Sequence, residues 1–179
     1  MAIFTIEGGV QLKGTLEPQG AKNEALQVMC ATLLTDQEVI IANVPEIRDV
    51  LNLMDLLRGI GAEITRLEKG RYRFSTVQIR EEYLHSKDFS LLAAGIRGSI
   101  MMLGPLLARL GHGYIPQPGG DKIGRRRVDT HFLGFQALGA IFNFDRENHR
   151  FSVKAAKLKG NYILMEEASV TGTANLIMA

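Results

Sequence analysis

Cysteine is nearly absent from this chain: among 179 residues Cys30 is the only one. That excludes a disulfide framework and a cysteine-rich metal site, and it fits a reducing, cytoplasmic setting. The four histidines (85, 112, 131 and 149) show no close ligand spacing, so no metal centre is expected. Charge of one sign is also scarce, the formal net charge being +2, which argues against general coating of nucleic acid. Long apolar runs are missing as well. The longest, residues 103–110, is interrupted by Gly104, Pro105 and Arg109, so no membrane span is expected. Glu7 and the lack of a basic head before an apolar stretch make a signal peptide unexpected. A hydrophobic share of 46% supports a substantial core in a chain of this length.

Against that background one stretch stands out: Pro118-Gly119-Gly120-Asp121-Lys122-Ile123-Gly124-Arg125-Arg126-Arg127-Val128-Asp129. Glycines let backbone amides approach an anion, and guanidinium forks match phosphate oxygens. Asp121 among these cations has two readings: it neutralises Lys122 and Arg125, or it moves a proton. The arginine run alone reads equally as a solvated basic face. Asp129 reads as a helix cap, His131 as structural, and Cys30, Met101 and Met102 as core.

The organisation is an internal repeat. Leu56-Leu57-Arg58-Gly59-Ile60-Gly61-Ala62 resembles Gly134-Phe135-Gln136-Ala137-Leu138-Gly139-Ala140, 78 residues further on. Each Gly-Ala pair closes an apolar-periodic segment, as a helix C-cap does, and opens an alternating stretch, a polar turn and a second alternating stretch. Two hairpins are predicted, over residues 62–67 with 71–77 and over 140–144 with 149–153. Upstream, the first copy predicts a helix over 23–34, a strand over 38–43 and a helix over 47–59. The second copy predicts the same over 98–110, 112–115 and 128–138. With one further strand before or after, the unit is of βαβαββ type. A third copy opens at Ser169 with a small, apolar, helix-compatible run to Ala179. The chain therefore reads as part of a longer protein, its last helix either packing on the preceding units or leaving an apolar patch open to self-association.

Equivalent positions in the copies carry polar chemistry at a helix start: Lys22-Asn23, Arg97-Gly98-Ser99 and Thr171-Gly172-Thr173. Asn, Ser and Thr side chains are expected to satisfy free helix amides, and the positive dipole end favours an anion. Arranged about a pseudo-symmetry axis, these ends converge on one site for a multiply charged anion. Lys22 sits against its local electrostatics, which itself suggests an external anion.

The motifs Gly20-Ala21-Lys22-Asn23, Arg97 before Ser99, Leu103-Gly104-Pro105-Leu106, the 118–131 loop and Ala168-Ser169-Val170 occur in an order that resembles the UDP-N-acetylglucosamine branch of the enolpyruvyl transferase family. The resemblance runs the length of the chain. It implies an inside-out α/β barrel of repeated βαβαββ units around a pseudo-threefold axis, two lobes and a cleft between them. Residues 1–20 would be a strand segment of the second lobe, and residues 21–179 one lobe with units at about 21–95, 96–165 and a truncated third from 166. The implied reaction passes the enolpyruvyl group of phosphoenolpyruvate to the 3-hydroxyl of UDP-N-acetylglucosamine and releases phosphate, the committed step of peptidoglycan synthesis. No metal or organic cofactor is implied.

By position, Lys22, Asn23 and Arg126 would bind phosphoenolpyruvate. Arg97, Arg126, Arg127, Val128, Asp129, Thr130, Ser169 and Val170 would bind the sugar nucleotide. Asp121 falls where many members carry a cysteine that acts as general acid; an aspartic acid can fill that role if loop closure desolvates it. Lacking a thiolate there, the chain is expected to be insensitive to the epoxide fosfomycin. Arg127, Arg125, Met101, Thr171 and Glu167 depart from the commoner pattern, which has proline, a small residue, an aromatic, glycine and lysine respectively. Two other functions compete: an enolpyruvylshikimate phosphate synthase-like enzyme, disfavoured by the Pro-Gly-Gly-Asp loop, and an RNA-binding or scaffold module, disfavoured by the near-neutral charge.

Overall fold

The computed structural model describes residues 3–119 and 127–179. The first unit runs α1 (Lys22–Ala31), a short 3-10 turn (Thr32–Leu34), β1 (Val39–Ile41), α2 (Arg48–Ile60), β2 (Glu63–Glu68) and β3 (Arg71–Ser75). Two helices absent from the sequence reading follow, α3 (Glu81–Leu84) and α4 (Lys87–Gly95). The second unit has a 3-10 helix (Arg97–Met102), α5 (Leu103–Leu110), β4 (His112–Pro116), α6 (Asp129–Ala137), β5 (Ile141–Asp145) and β6 (Arg150–Lys154). Helix α7 (Val170–Ile177) follows.

Local chemistry explains most of these elements. In α2, Val50, Leu53, Met54, Leu57 and Ile60 recur at helical spacing and are fully buried. Gly61 ends that helix at φ 119°, and Gly139 turns at φ 97° after α6, the same left-handed conformation at both members of the repeat. In α4, Ser86 accepts from Phe89 N–H at 3.0 Å and caps the first turn. The second copy's first helix starts as 3-10, and within it Ser99 Oγ lies in the core 2.7 Å from Ala93 O and 2.6 Å from Ile96 O.

The two sheets have the same topology, β1-β3-β2 and β4-β6-β5, all antiparallel. Among the described residues each has three strands, so the further strand expected in each unit is not formed there. One core runs through both units, from Leu33, Leu57 and Phe74 to Met102, Leu106, Ile115 and Phe135, with Met178 beyond α7. Arg109 on α5 ties the units together by donating to the carbonyls of Leu33 (3.0 Å) and Thr76 (2.7 Å) from Nη1 and of Val77 (2.9 Å) from Nη2, all in the first unit.

Glycines let α7 approach. A β-carbon at Gly104 would meet the Asn175 backbone, and one at Gly134 would meet the Leu176 side chain. Asn175, fully buried, accepts from Gly104 N–H at 2.8 Å and donates to Ile100 O at 2.9 Å. Residues 3–20 form no helix or strand, and Ile3, Phe4, Ile6, Leu12 and Leu16 are exposed.

At the edge of the first sheet, Glu46 accepts from Gly70 N–H (3.1 Å), Tyr72 O–H (2.8 Å) and both Nε and Nη2 of Arg66 (2.9 and 3.1 Å). The Gly70 amide first, then Tyr72 and Arg66, hold its carboxyl down at about 2. A depressed carboxylate stabilises the fold above its unfolded value of about 4.3, and that contribution disappears as pH falls toward 2. Glu46→Gln is therefore expected to lower the melting temperature at pH 7, with the gap from the unsubstituted protein narrowing steadily below pH 4.5. A gap independent of pH in a melting series would overturn this.

Candidate active site

Five helix starts meet at one cleft of about 510 Å³. The beginning of α1 contributes Lys22 and Asn23, the 3-10 helix Arg97 and Gly98, and α7 Thr171. This is the convergence expected from the three copies. The starts of α2 and α6 join it: Val128 was expected at the sugar nucleotide, whereas Arg48, Asp49, Asn52 and His131 were not expected at the site. A signal existed for Arg48: it is a cation at a helix start, the same anomaly noted at Lys22.

Capping differs from expectation. No side chain caps α1, α2, the 3-10 helix or α6. Asn23 does not cap, Ser99 donates to carbonyls, and Asp129 instead accepts from Arg127 Nε at 3.0 and 2.9 Å. Ser169 does cap α7, accepting from Gly172 N–H at 3.0 Å. Helix amides left uncapped beside cations make a better anion site than capped ones would.

Lys22 is not left to an external anion alone, because its Nζ lies 2.9 Å from Asp49 Oδ2. Both side chains are part-exposed, so the pair is weak and an incoming phosphate can compete for the ammonium. Arg97 donates from Nη2 to the Arg127 carbonyl at 3.0 Å, linking the cleft to the arm of the arginine-rich loop. The Arg127 guanidinium also reaches Glu166 Oε2 at 3.2 Å, and its two carboxylate partners, Asp129 first, push its pKa up. His131 is buried, and burial, then the charge of Arg97, pushes its pKa down to about 4, so the ring is neutral at pH 7.

Lys22, Asn23, Arg97 and Val128 are thus brought together. Thr130 faces a second cleft of about 260 Å³ with Leu133, Tyr162, Leu164 and Glu166, and its buried hydroxyl has no partner among the described residues. Arg127, Asp129, Ser169 and Val170 flank these clefts without lining either. Asp121 and Arg126, with Lys122 and Arg125, lie outside the described residues. Cys30, Met101 and Met102 are buried, as read from sequence, and burial pushes the Cys30 thiol up. Among the described residues no cluster of His, Cys, Asp and Glu could hold a metal ion, and no single helix is long and apolar enough to cross a membrane.

The repeated helix-and-hairpin units, with two small antiparallel sheets, form an α/β fold consistent with part of an enolpyruvyl transferase. The sequence profile of the family described as EPSP synthase (3-phosphoshikimate 1-carboxyvinyltransferase) matches residues 6–179, and the chain belongs to that family. It is 50% identical over all 179 residues to a UDP-N-acetylglucosamine 1-carboxyvinyltransferase of Bacteroides fragilis. Proteins of the same name from Porphyromonas gingivalis and Treponema denticola are 49% identical over 179 residues and 42% identical over 176. The chain spans about two fifths of these relatives: 41% of the first two and 40% of the third. Among solved structures, the enolpyruvyl transferase NikO from Streptomyces tendae matches with TM-score 0.66 at 18% identity, covering 84% of this chain and 32% of that one. EPSP synthase from Acinetobacter baumannii matches with TM-score 0.67 at 16% identity, covering 92% and 38%. At such identities the structural matches speak for the fold alone.

Proposed function

We propose that this chain carries one lobe of an enzyme that transfers the enolpyruvyl group of phosphoenolpyruvate to the 3-hydroxyl of UDP-N-acetylglucosamine and releases phosphate. The observation that carries this reading is the cleft where Lys22, Arg48 and Arg97 surround uncapped helix starts. It suits a ligand with several phosphate or carboxylate oxygens. The names of the relatives, similar over the whole chain, favour the nucleotide sugar over shikimate phosphate as acceptor. The near-neutral charge argues against the RNA-binding alternative.

In the reaction, the sugar hydroxyl, giving its proton to a base proposed to come from the other lobe, adds to C2 of the enol while C3 gains a proton. The tetrahedral adduct then loses phosphate as C3 gives a proton up. Asp121 is proposed as the acid at C3. Lys22, Asn23 and Arg126 would hold phosphoenolpyruvate. Arg97, Arg126, Arg127, Val128, Asp129, Thr130, Ser169 and Val170 would hold the sugar nucleotide. The product is committed to peptidoglycan, which places the enzyme in the cytoplasm and ties it to cell-wall growth, cell shape and division.

Residues 1–20 are proposed to pair with the second lobe, a role supported by the exposed apolar side chains from Ile3 to Leu16. The other lobe and the remainder of the third unit are proposed partners of this surface. In a preparation of these 179 residues alone, the exposed Val170 and Ile177 on α7 favour self-association, which sedimentation would detect. Titration with UDP-N-acetylglucosamine and with single-stranded RNA at two salt concentrations tests the function. Saturable sugar-nucleotide binding without RNA binding is expected, and the reverse would overturn the reading. No phosphate release is expected from these 179 residues alone, and turnover would refute the one-lobe reading.

An aspartate at 121 offers fosfomycin no thiolate to alkylate. Intact-mass spectrometry after incubation with the drug is expected to show no adduct at residue 121. Asp121→Cys should acquire one, and an adduct on the unsubstituted chain at that residue would defeat the prediction.

A further inference from the structure

The side-chain amide of Asn175 has one workable orientation. Its Oδ1 accepts from Gly104 N–H at 2.8 Å, so Nδ2 faces the Ile100 carbonyl at 2.9 Å and His131 Nδ1 at 3.0 Å. Turning the amide over would set NH₂ against N–H and oxygen against oxygen. The two hydrogens on Nδ2 therefore serve Ile100 O and His131 Nδ1. That makes Nδ1 an acceptor, and the single proton of the neutral ring sits on Nε2. Nε2 lies 3.4 Å from Thr171 Oγ1, a long contact in which the ring donates and the hydroxyl accepts. The hydroxyl proton of Thr171 then has no acceptor among the described residues. Thr171 is exposed and lines the cleft with Lys22, Asn23 and Arg97.

The geometry points to Thr171 as a specificity-determining residue of this cleft: its hydroxyl donates to a phosphate oxygen of the bound substrate, and the buried pair Asn175–His131 sets the direction of that donation. The inference rests on the proposed function. Phosphate oxygens only accept, so a hydroxyl oriented as a donor favours them over a ligand group that must donate. His131 acts through Thr171, as a positioning residue; its depressed pKa keeps the ring neutral at neutral pH, and the contact of Asn175 Nδ2 with Nδ1 selects the tautomer.

Two phosphates could be the acceptor, that of phosphoenolpyruvate or the diphosphate of the sugar nucleotide. Calorimetric titration of the 179-residue protein with each ligand separately distinguishes them. Thr171→Val removes the hydroxyl at nearly constant shape and is expected to weaken the ligand it touches by about tenfold. Thr171→Ser is expected to restore binding to within about twofold, a rescue that a merely structural role would not require. Nitrogen NMR of the His131 ring is expected to show a protonated Nε2 and a bare Nδ1. Unchanged affinity for both ligands in Thr171→Val, failure of serine to rescue, or a protonated Nδ1 would each overturn this inference while leaving the proposed function standing. Absence of binding by the unsubstituted protein would remove the proposed function and this inference together.

Discussion

Asn175→Leu is expected to lower stability by about 3–5 kcal/mol and to loosen α7 from the rest of the protein. Leucine has nearly the same shape, so packing is little changed while three buried groups lose their partner: Gly104 N–H, the Ile100 carbonyl and His131 Nδ1. Each buried group left unsatisfied costs about 1–3 kcal/mol, and partial relaxation keeps the total below the sum of the maxima. At roughly 2–4 °C per kcal/mol for a chain of this size, the melting temperature should fall by about 6–20 °C. Hydrogen exchange should accelerate first in residues 170–177, because Asn175 is where that helix is held by polar contacts on two sides. A loss below 1 kcal/mol would mean that packing of Leu176 and Met178 carries the helix unaided.

Arg109→Met comes next in size, with an expected loss of about 2–4 kcal/mol. Methionine keeps an unbranched apolar stem, but the carbonyls of Leu33, Thr76 and Val77 lose a charged donor at 2.7–3.0 Å. Hydrogen bonds to charged groups contribute about 1.5–3 kcal/mol each, discounted here because the outer part of the site is reached by water. Arg109→Lys should recover less than half of the loss, since a single ammonium standing in for Nη1 leaves the Val77 carbonyl, which Nη2 reaches, without its donor. Denaturant melts of the three proteins side by side provide the measurement. Full recovery by lysine would show that charge alone matters at this position.

Much of the architecture was legible because its signals are local. The glycine ends at 61 and 139, the alternating hairpin strands and the apolar periodicity of α2 need only neighbouring residues for their expression, and they form where expected. What escaped depends on contacts far apart in the chain. The pairing of Lys22 with Asp49 spans 27 positions and has no sequence pattern. Asn175 lay in a run that read only as small and apolar, yet it holds α7 through residues 71 and 75 positions away. Helix α4 was missed although its Ser86 cap is a local signal, since the segment belongs to neither half of the recognised repeat. The helix-start cleft was anticipated from the three copies and Val128 from the resemblance; the share of α2 was not, because that helix was read for its apolar face alone.

The repeat also records where its copies stopped being interchangeable. Leu56 and Gly134 occupy corresponding places, and Leu56 is wholly buried, filling its surroundings with its own side chain. At Gly134 the same space is taken by Leu176 arriving from α7. The second copy has no side chain at this place, and Leu176 of α7 fills it. The hairpins and glycine ends of the two copies are alike, and they differ at this contact with α7. Gly134 thus works as a keyhole, open only because no β-carbon closes it against Leu176.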